Sequence, residues 1–165
     1  MLSVREEKIT VKNGIVGVIS DTHGLIRPQA LAALADVELI IHAGDIGKPE
    51  VLGALKGIAP VLVIRGNNDR ETWARDIPDI LNLQINGLNL QVIHNVHDID
   101  GDAASLGIHA VISGHSHKPG IVTRNEVLFV NPGSAGPRRF KLPVAVGKIR
   151  LEKNKLRARI IELTI

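Results

Sequence analysis

The stretch Ile15-Val16-Gly17-Val18-Ile19 runs straight into Ser20-Asp21-Thr22-His23-Gly24. The first five residues are apolar on both faces and rich in β-branching, which predicts a strand buried in a covered sheet. The loop that follows holds a carboxylate and an imidazole two residues apart. The same succession recurs along the chain. Leu39–Ile41 leads into His42-Ala43-Gly44-Asp45, and Val61–Ile64 into Arg65-Gly66-Asn67-Asn68-Asp69. Leu90–Ile93 leads into His94, and Ala110–Ile112 into Ser113-Gly114-His115-Ser116-His117.

Helical stretches separate the early strands. One candidate begins near Pro28, with Ala30, Leu31, Leu34 and Ala35 at helical spacing; another runs from Pro49 to Gly57. Proline in the first turn and glycine past the last suit helix ends. A third candidate runs from Asp100 to Leu106 and closes at Gly107. The remainder reads as hairpins. Leu81, Leu83 and Ile85 alternate with polar residues up to Asn86-Gly87, and Leu88, Leu90 and Val92 alternate beyond it. Asn-Gly suits a type I′ turn, in which both central residues take positive φ. Asn125-Glu126 and Lys153-Asn154 are expected to turn two more hairpins. The pattern, βαβα first and β-rich later, predicts an α/β fold of two packed mixed β-sheets flanked by helices, an αββα sandwich.

Length and composition agree. The chain has 165 residues, the size of one domain, and 44% of them are hydrophobic. Aromatic content is 2%, so the core is aliphatic and base-stacking platforms for nucleic acid are not expected. The net charge is +3, a smaller basic excess than a phosphate-tracking groove carries. Cysteine is absent, which removes disulfides, thiolate nucleophiles and cysteine metal cages. No apolar run approaches a membrane span, and Met1 to Lys12 carries no apolar signal region. A cytoplasmic protein without a membrane partner is the expectation.

In open α/β sheets, ligands gather at the carboxyl ends of strands. Convergence of these five ends would bring together Asp21, His23, Asp45, Asn67, His94, His115 and His117. Each loop alone also fits an ordinary turn, since aspartate and asparagine tolerate turn backbones. All five as turns would require five coincidences at one topological position. Two carboxylates, one amide and four imidazoles form a nitrogen and oxygen donor set without sulfur. Such a set suits Mn²⁺, Fe, Zn²⁺, Ni²⁺ or Co²⁺ better than Ca²⁺ or Mg²⁺. Seven donors are too many for one tetrahedral ion and suit two ions sharing a carboxylate.

The series Asp21-x-His23, Gly44-Asp45, Gly66-Asn67-x-Asp69, His94 and Gly114-His115-x-His117 resembles the calcineurin-like metallophosphoesterases, whose motifs occur in this order. Within that superfamily the chain is similar to the minimal phosphodiesterases of bacteria and archaea, a group that includes the small subunit of retromer. Asn131-Pro132-Gly133-Ser134 strengthens that likeness. The resemblance covers residues 15–165 of a single domain spanning 1–165 and leaves residues 1–14 as an extension to the family core. It implies two divalent ions per chain, with manganese foremost and nickel, cobalt, zinc or iron as alternatives. Asp21, His23, Asp45 and His117 would hold one ion; Asp45, Asn67, His94 and His115 would hold the other. It further implies attack on a small or nucleotide-like phosphodiester by hydroxide bound at the dinuclear centre. The alternatives are a protein-binding scaffold of the same fold, or a nuclease. Relatives form dimers or tetramers, so a homo-oligomer is an expectation.

Two positions depart from the family pattern. Larger phosphatases of the superfamily place a histidine where Asn68 stands. An amide can position a phosphoryl oxygen but cannot donate a proton at neutral pH. Activated or nucleotide diesters should therefore react better than alkyl monoesters. After His94 the minimal group usually continues with glycine and histidine, whereas this chain has Asn95-Val96-His97. His97, displaced by one residue, is a second candidate for substrate positioning or a leaving-group role. His42 is expected to support the site or the core, and Arg65, Arg70, Arg138 and Arg139 lie near the motif loops.

Overall fold

The computed structural model describes all of residues 1–165. In chain order its strands are β1 (Val4–Ile9), β2 (Ile15–Ile19), β3 (Leu39–His42), β4 (Val61–Val63), β5 (Ile80–Ile85), β6 (Leu88–Ile93), β7 (Ala110–Ile112), β8 (Gly120–Arg124), β9 (Val127–Asn131), β10 (Ala145–Glu152) and β11 (Lys155–Glu162). Two helices interrupt them, α1 (Pro28–Ala33) and α2 (Pro49–Lys56). The five apolar runs thus all become strands. They divide between two mixed sheets, ordered β1-β5-β6-β7-β9-β8 and β11-β10-β2-β3-β4.

The sheets pack face to face over an aliphatic core. Val16, Val18, Leu39 and Ile41 of one sheet meet Leu81, Leu83, Leu90, Val92 and Ile112 of the other. A second cluster lies between the five-stranded sheet and the helices: Ala30, Leu34, Val51 and Leu55 pack on Ile19, Ile40 and Val146. Burial of each such aliphatic side chain stabilises by roughly 1.5–3 kcal/mol. The layered α/β sandwich is therefore the expected one. No helix is long and apolar enough to cross a membrane.

The three expected hairpins form. Asn86-Gly87, Asn125-Glu126 and Lys153-Asn154 all take positive φ at both turn residues. Two differences bear on function. The candidate helix from Asp100 to Leu106 is a run of turns. Asp102 spends its carboxylate on the Ala104 N–H and the Ser105 hydroxyl, and Leu106 is 59% exposed. Aspartate bonding its own backbone in this way competes with helix, and Ala103 alone of the segment is buried against the sheet to oppose it. Both helices consequently cover the five-stranded sheet, and the outer face of the six-stranded sheet carries only turns. The second difference is β1. It pairs in parallel with β5 at the sheet edge, although Arg5-Glu6-Glu7-Lys8 carries no apolar alternation. Charged side chains on an edge strand discourage pairing with another chain.

Candidate metal centre

The strand ends meet because the chain stitches their loops together. Asp21 N–H donates to Gly44 O at 3.0 Å, His23 N–H to Asp45 O at 3.0 Å and Gly24 N–H to Ile46 O at 2.8 Å. On the six-stranded sheet, Gly114 N–H donates to His94 O at 3.0 Å. The two sheets are joined across the site by His115 N–H, which donates to Asp21 Oδ2 at 3.1 Å. Asp69 is buried and accepts from Ile46, Gly47 and Gly66 N–H at 2.9–3.1 Å, tying the β3 loop to the β4 loop. In the sequence Asp69 belongs to the Gly66-Asn67-x-Asp69 motif with no assigned task. Its neighbours Gly66-Asn67-Asn68 read as a tight turn, which hides a carboxylate that organises a second loop.

Asp21, His23, Asp45, His115 and His117 take φ of 54°, 46°, 56°, 72° and 62°. Non-glycine residues avoid this region at a cost of order 1 kcal/mol each, and they cluster at functional sites. Three glycines make room for the side chains so aimed. A Cβ on Gly66 would strike Asp45 Oδ1, one on Gly114 would strike Ser20 Oγ, and one on Gly44 would lie 2.7 Å from His94 Nδ1.

The side chains form two overlapping groups: Asp21 with His23 and His117, and Asp21 with Asp45 and His94. Asp21 Oδ1 lies 3.4 Å from His117 Nε2, 3.8 Å from His94 Nε2 and 3.9 Å from His23 Nε2. Asp45 Oδ2 lies 3.2 Å from His94 Nε2 and 3.7 Å from His23 Nε2, so both carboxylates face both groups. His23 and His117 point their Nε2 atoms at each other across 3.3 Å. Asn67 Oδ1 is 3.3 Å from His115 Nδ1, and the His115 ring meets the His94 ring edge-on. All seven predicted donors therefore line one region.

The donor atoms are prepared for a cation. His94 Nδ1 is 2.7 Å from the Ala43 carbonyl, which can only accept, so Nδ1 carries a hydrogen and Nε2 is the ring atom that faces Asp21 and Asp45. Buried Asp21 Oδ1 and His94 Nε2 make no hydrogen bond of good geometry. Leaving such atoms unsatisfied is costly, and ligation of a divalent metal would satisfy both. Burial opposes ionisation of Asp45, yet His94, the Asn68 amide and His23 hold its carboxyl down at about 2. Burial likewise opposes the Asp21 anion, and His117, His94 and Ser20 outweigh it. Burial disfavours a charged His94, but Asp45 and Asp21 lift it above the ordinary imidazole value. Both carboxylates are thus ionised at neutral pH.

His42 is committed elsewhere. Its Nδ1 accepts from Gly44 N–H at 3.1 Å and its Nε2–H donates to Thr22 Oγ1 at 3.0 Å; Thr22 in turn donates to Ile46 O. Burial brings it down to about 4. It supports the loops as a neutral ring. Asn68 donates through both its backbone N–H and its Nδ2 to Asp45, at 3.0 and 3.1 Å. His97 sits in a short 3-10 turn, Val96–Asp98, and is exposed. It lines a cavity on the outer face of the six-stranded sheet, whereas His94, His115 and Asn67 line a separate small cleft with Arg65. Arg65 Nη2 is paired with Asp79 at 3.1 Å.

A family profile described as the calcineurin-like phosphoesterase superfamily domain matches residues 15–154. The chain belongs to that superfamily. A probable metallophosphoesterase of Methanothermobacter thermautotrophicus is 36% identical over 159 residues, covering 89% of this chain and 91% of the relative. A phosphodiesterase of Methanocaldococcus jannaschii is 28% identical over 166 residues, covering 89% of this chain and 99% of the relative. Among solved structures, wild-type Vps29 of Entamoeba histolytica complexed with Zn²⁺ shares the fold at a TM-score of 0.69 and 20% identity, over 90% of this chain and 98% of that one. This calcineurin-like phosphoesterase is thus a hydrolase of a metal-dependent family. Its donor set of carboxylate, amide and imidazole fits that chemistry.

Proposed function

We propose that this phosphoesterase is a phosphodiesterase of small or nucleotide-like diesters that works with two divalent cations, manganese foremost. One observation carries the reading: Asp21 belongs to two donor groups at once, with His23 and His117 on one side and Asp45 and His94 on the other, while Asp45, the carboxylate expected to be shared, reaches both His94 at 3.2 Å and His23 at 3.7 Å. The phosphodiesterase of M. jannaschii and the zinc complex of the Entamoeba relative support it. Divalent cations held there would supply Lewis acidity toward phosphoryl oxygens and would lower the pKa of a water.

The chain's own part is positioning. Asp21 and Asp45 hold fixed negative charge, and the Ala43 carbonyl fixes the His94 tautomer. Asn68 holds Asp45 through two hydrogen bonds, and its amide can contact a phosphoryl oxygen without delivering a proton. The absence of cysteine agrees with a reaction that needs no thiolate nucleophile. Activated diesters should therefore exceed alkyl monoesters in rate.

The test is to strip metal with chelator and restore Mn²⁺, Ni²⁺, Co²⁺, Zn²⁺ and Mg²⁺ singly. Bis-p-nitrophenyl phosphate is then assayed beside p-nitrophenyl phosphate and an alkyl monoester. Activity should return with a transition metal and favour the diester. Asp45→Asn should abolish it, by about 10³-fold or more on the scale of losing an electrostatic catalytic group, with an unchanged circular dichroism spectrum. Unchanged turnover in that variant would favour the scaffold reading.

A further inference from the structure

A cavity of about 640 Å³ lies beside the candidate metal centre on the outer face of the six-stranded sheet. It exists because residues 101–107 form turns where a covering helix was expected. One wall is the metal-ligand loop itself: Ser113 and Ser116 flank Gly114-His115, and Asn131 Nδ2 donates to both Gly114 O and Ser116 Oγ. The floor is apolar, with half-buried Phe129 and 46%-exposed Val122 opposite each other across the β8–β9 pair. Phe129 is two residues from Asn131 along β9, or roughly 7 Å at the rise of a strand.

The charge in this cavity is one-sided. The chain's lysine and arginine ion pairs are Arg65–Asp79, Lys148–Asp36 and Arg150–Glu152, so Lys118 and Arg124 have no carboxylate partner. The one carboxylate in the lining, Asp102, is turned to Ala104 and Ser105. The Arg124 guanidinium instead lies 5.7 Å from the centre of the Phe129 ring. An apolar floor of Phe129 and Val122 beneath largely polar walls can take a molecule that is part ring and part anion, and the volume falls in the range small-molecule sites occupy.

We propose that this cavity is a subsite for one alcohol arm of the diester, and that it selects an arm carrying a ring and a second phosphate. The proposal rests on the phosphodiesterase reading and names its substrate class. The ring packs on Phe129 and Val122, roughly one sugar's length from the metal-ligand loop. The distal phosphate is met by Arg124 at the end of β8 away from the donor loop, and Lys118, next to His117, adds its unpartnered charge at the loop end, because guanidinium and ammonium groups favour an anion over a neutral end. Continuity with the loop of His115 and His117 and the unpartnered cations favour this occupant over a protein segment.

The test compares two dinucleotides, dithymidine joined by one diester with a phosphate at both ends and the same compound without terminal phosphates. Bis-p-nitrophenyl phosphate serves as the basal substrate, and the full chain carries Mn²⁺. Wild type should prefer the phosphorylated dinucleotide by at least tenfold in kcat/KM. Arg124→Gln and Lys118→Gln should remove that preference through KM, leaving bis-p-nitrophenyl phosphate within twofold. An unchanged preference in both variants would overturn the proposal. A second readout does not depend on turnover. Thymidine 3′,5′-bisphosphate is titrated into chelator-treated protein while amide resonances of Val122, Phe129 and Lys118 are followed. Saturable shifts there, weakened at least fivefold in Arg124→Gln, support the subsite even if no diester is hydrolysed, in which case the phosphodiesterase reading alone fails. Shifts elsewhere, or none, overturn the subsite whatever the activity.

Discussion

At the three hairpin tips, six residues take the left-handed backbone: Asn86, Gly87, Asn125, Glu126, Lys153 and Asn154. At the strand ends, Asp21, His23, Asp45, His115 and His117 take the same backbone. The tips are exposed, and there the conformation reverses the chain, with Asn86 also tying the tip to Ile9 and Val11 by hydrogen bonds. The strand-end residues are held by hydrogen bonds between loops that are distant in sequence, and three of them (Asp21, Asp45 and His117) are buried. There the conformation aims side chains at one another. One strained geometry thus has two causes, local at the tips and imposed by neighbouring loops at the site. Changes at a tip should move stability alone, and changes at the strand ends should move metal binding and activity.

The sharpest break compares two glycines. A Cβ at position 66 would strike the Asp45 carboxylate, although Gly66 does not need positive φ. A Cβ at position 87 would meet nothing within 4 Å, but Gly87 has φ of +83°. Gly66→Ala should displace the Asp45 carboxylate and cut kcat/KM about 100-fold, the scale expected for a misplacement near 1 Å. It should also cost about 1–3 kcal/mol, as overpacking does. Gly87→Ala should cost about 1–2 kcal/mol of left-handed strain and leave kcat/KM and metal affinity unchanged. Denaturant titration and metal titration of both variants decide the matter. Loss of metal affinity in Gly87→Ala would erase the distinction.

A smaller effect concerns pH in the metal-free protein. Burial lowers His42 to about 4 from an ordinary 6.5. Between these values the unfolded chain binds a proton that the folded chain refuses, so stability falls as pH falls. The full contribution is present above pH 6.5 and is lost by about pH 4, on the order of 3 kcal/mol for a shift of this size. His94 acts in the opposite sense. Its pKa is raised, so its contribution is present below 6.5 and is lost as pH rises through the folded value. The measurable quantity is therefore the difference between wild type and His42→Gln. That difference should shrink between pH 6.5 and 4.5 while Gly44 and Thr22 keep their places in the fold. A difference independent of pH would show that the His42 ring accepts a proton in place.

Much of this division was legible in the sequence, for local reasons. Each apolar run ended in its polar loop, and Asn86-Gly87 announced its own turn chemistry. Asp69 was less legible, because its three N–H partners come from two loops and only the fold brings Ile46 and Gly47 to it. The edge strand β1 was hidden by Arg5-Glu6-Glu7-Lys8, whose charges suit an edge and mask the alternation that marks a strand. The stretch from Asp100 to Leu106 read as a helix closed by Gly107, but only Ala103 is buried against the sheet and Asp102 turns it into a chain of turns. His97 stands three residues from His94, yet the 3-10 turn at Val96–Asp98 carries it to the other cavity. Distance along the chain could not reveal that separation.

The smallest effect tests the tips on their own terms. Lys153-Asn154 turns the β10–β11 hairpin with φ of 37° and 67°, and neither lysine nor a long side chain gains anything from that backbone. Asn-Gly suits a type I′ turn better, because glycine takes positive φ without steric cost and asparagine tolerates it. The double change Lys153→Asn with Asn154→Gly should stabilise by about 0.5–1 kcal/mol, the lower end applying because glycine also loosens the unfolded chain. For a domain of this size that is a rise in Tm of about 1–4 °C. Metal affinity and kcat/KM should stay at wild-type values, since the turn joins the edge strand β11 to its neighbour β10 and touches no donor loop. A coupled change in metal affinity would mean that strain at this tip reaches the site through β10 and its neighbour β2. The two uses of left-handed backbone would then be one connected system.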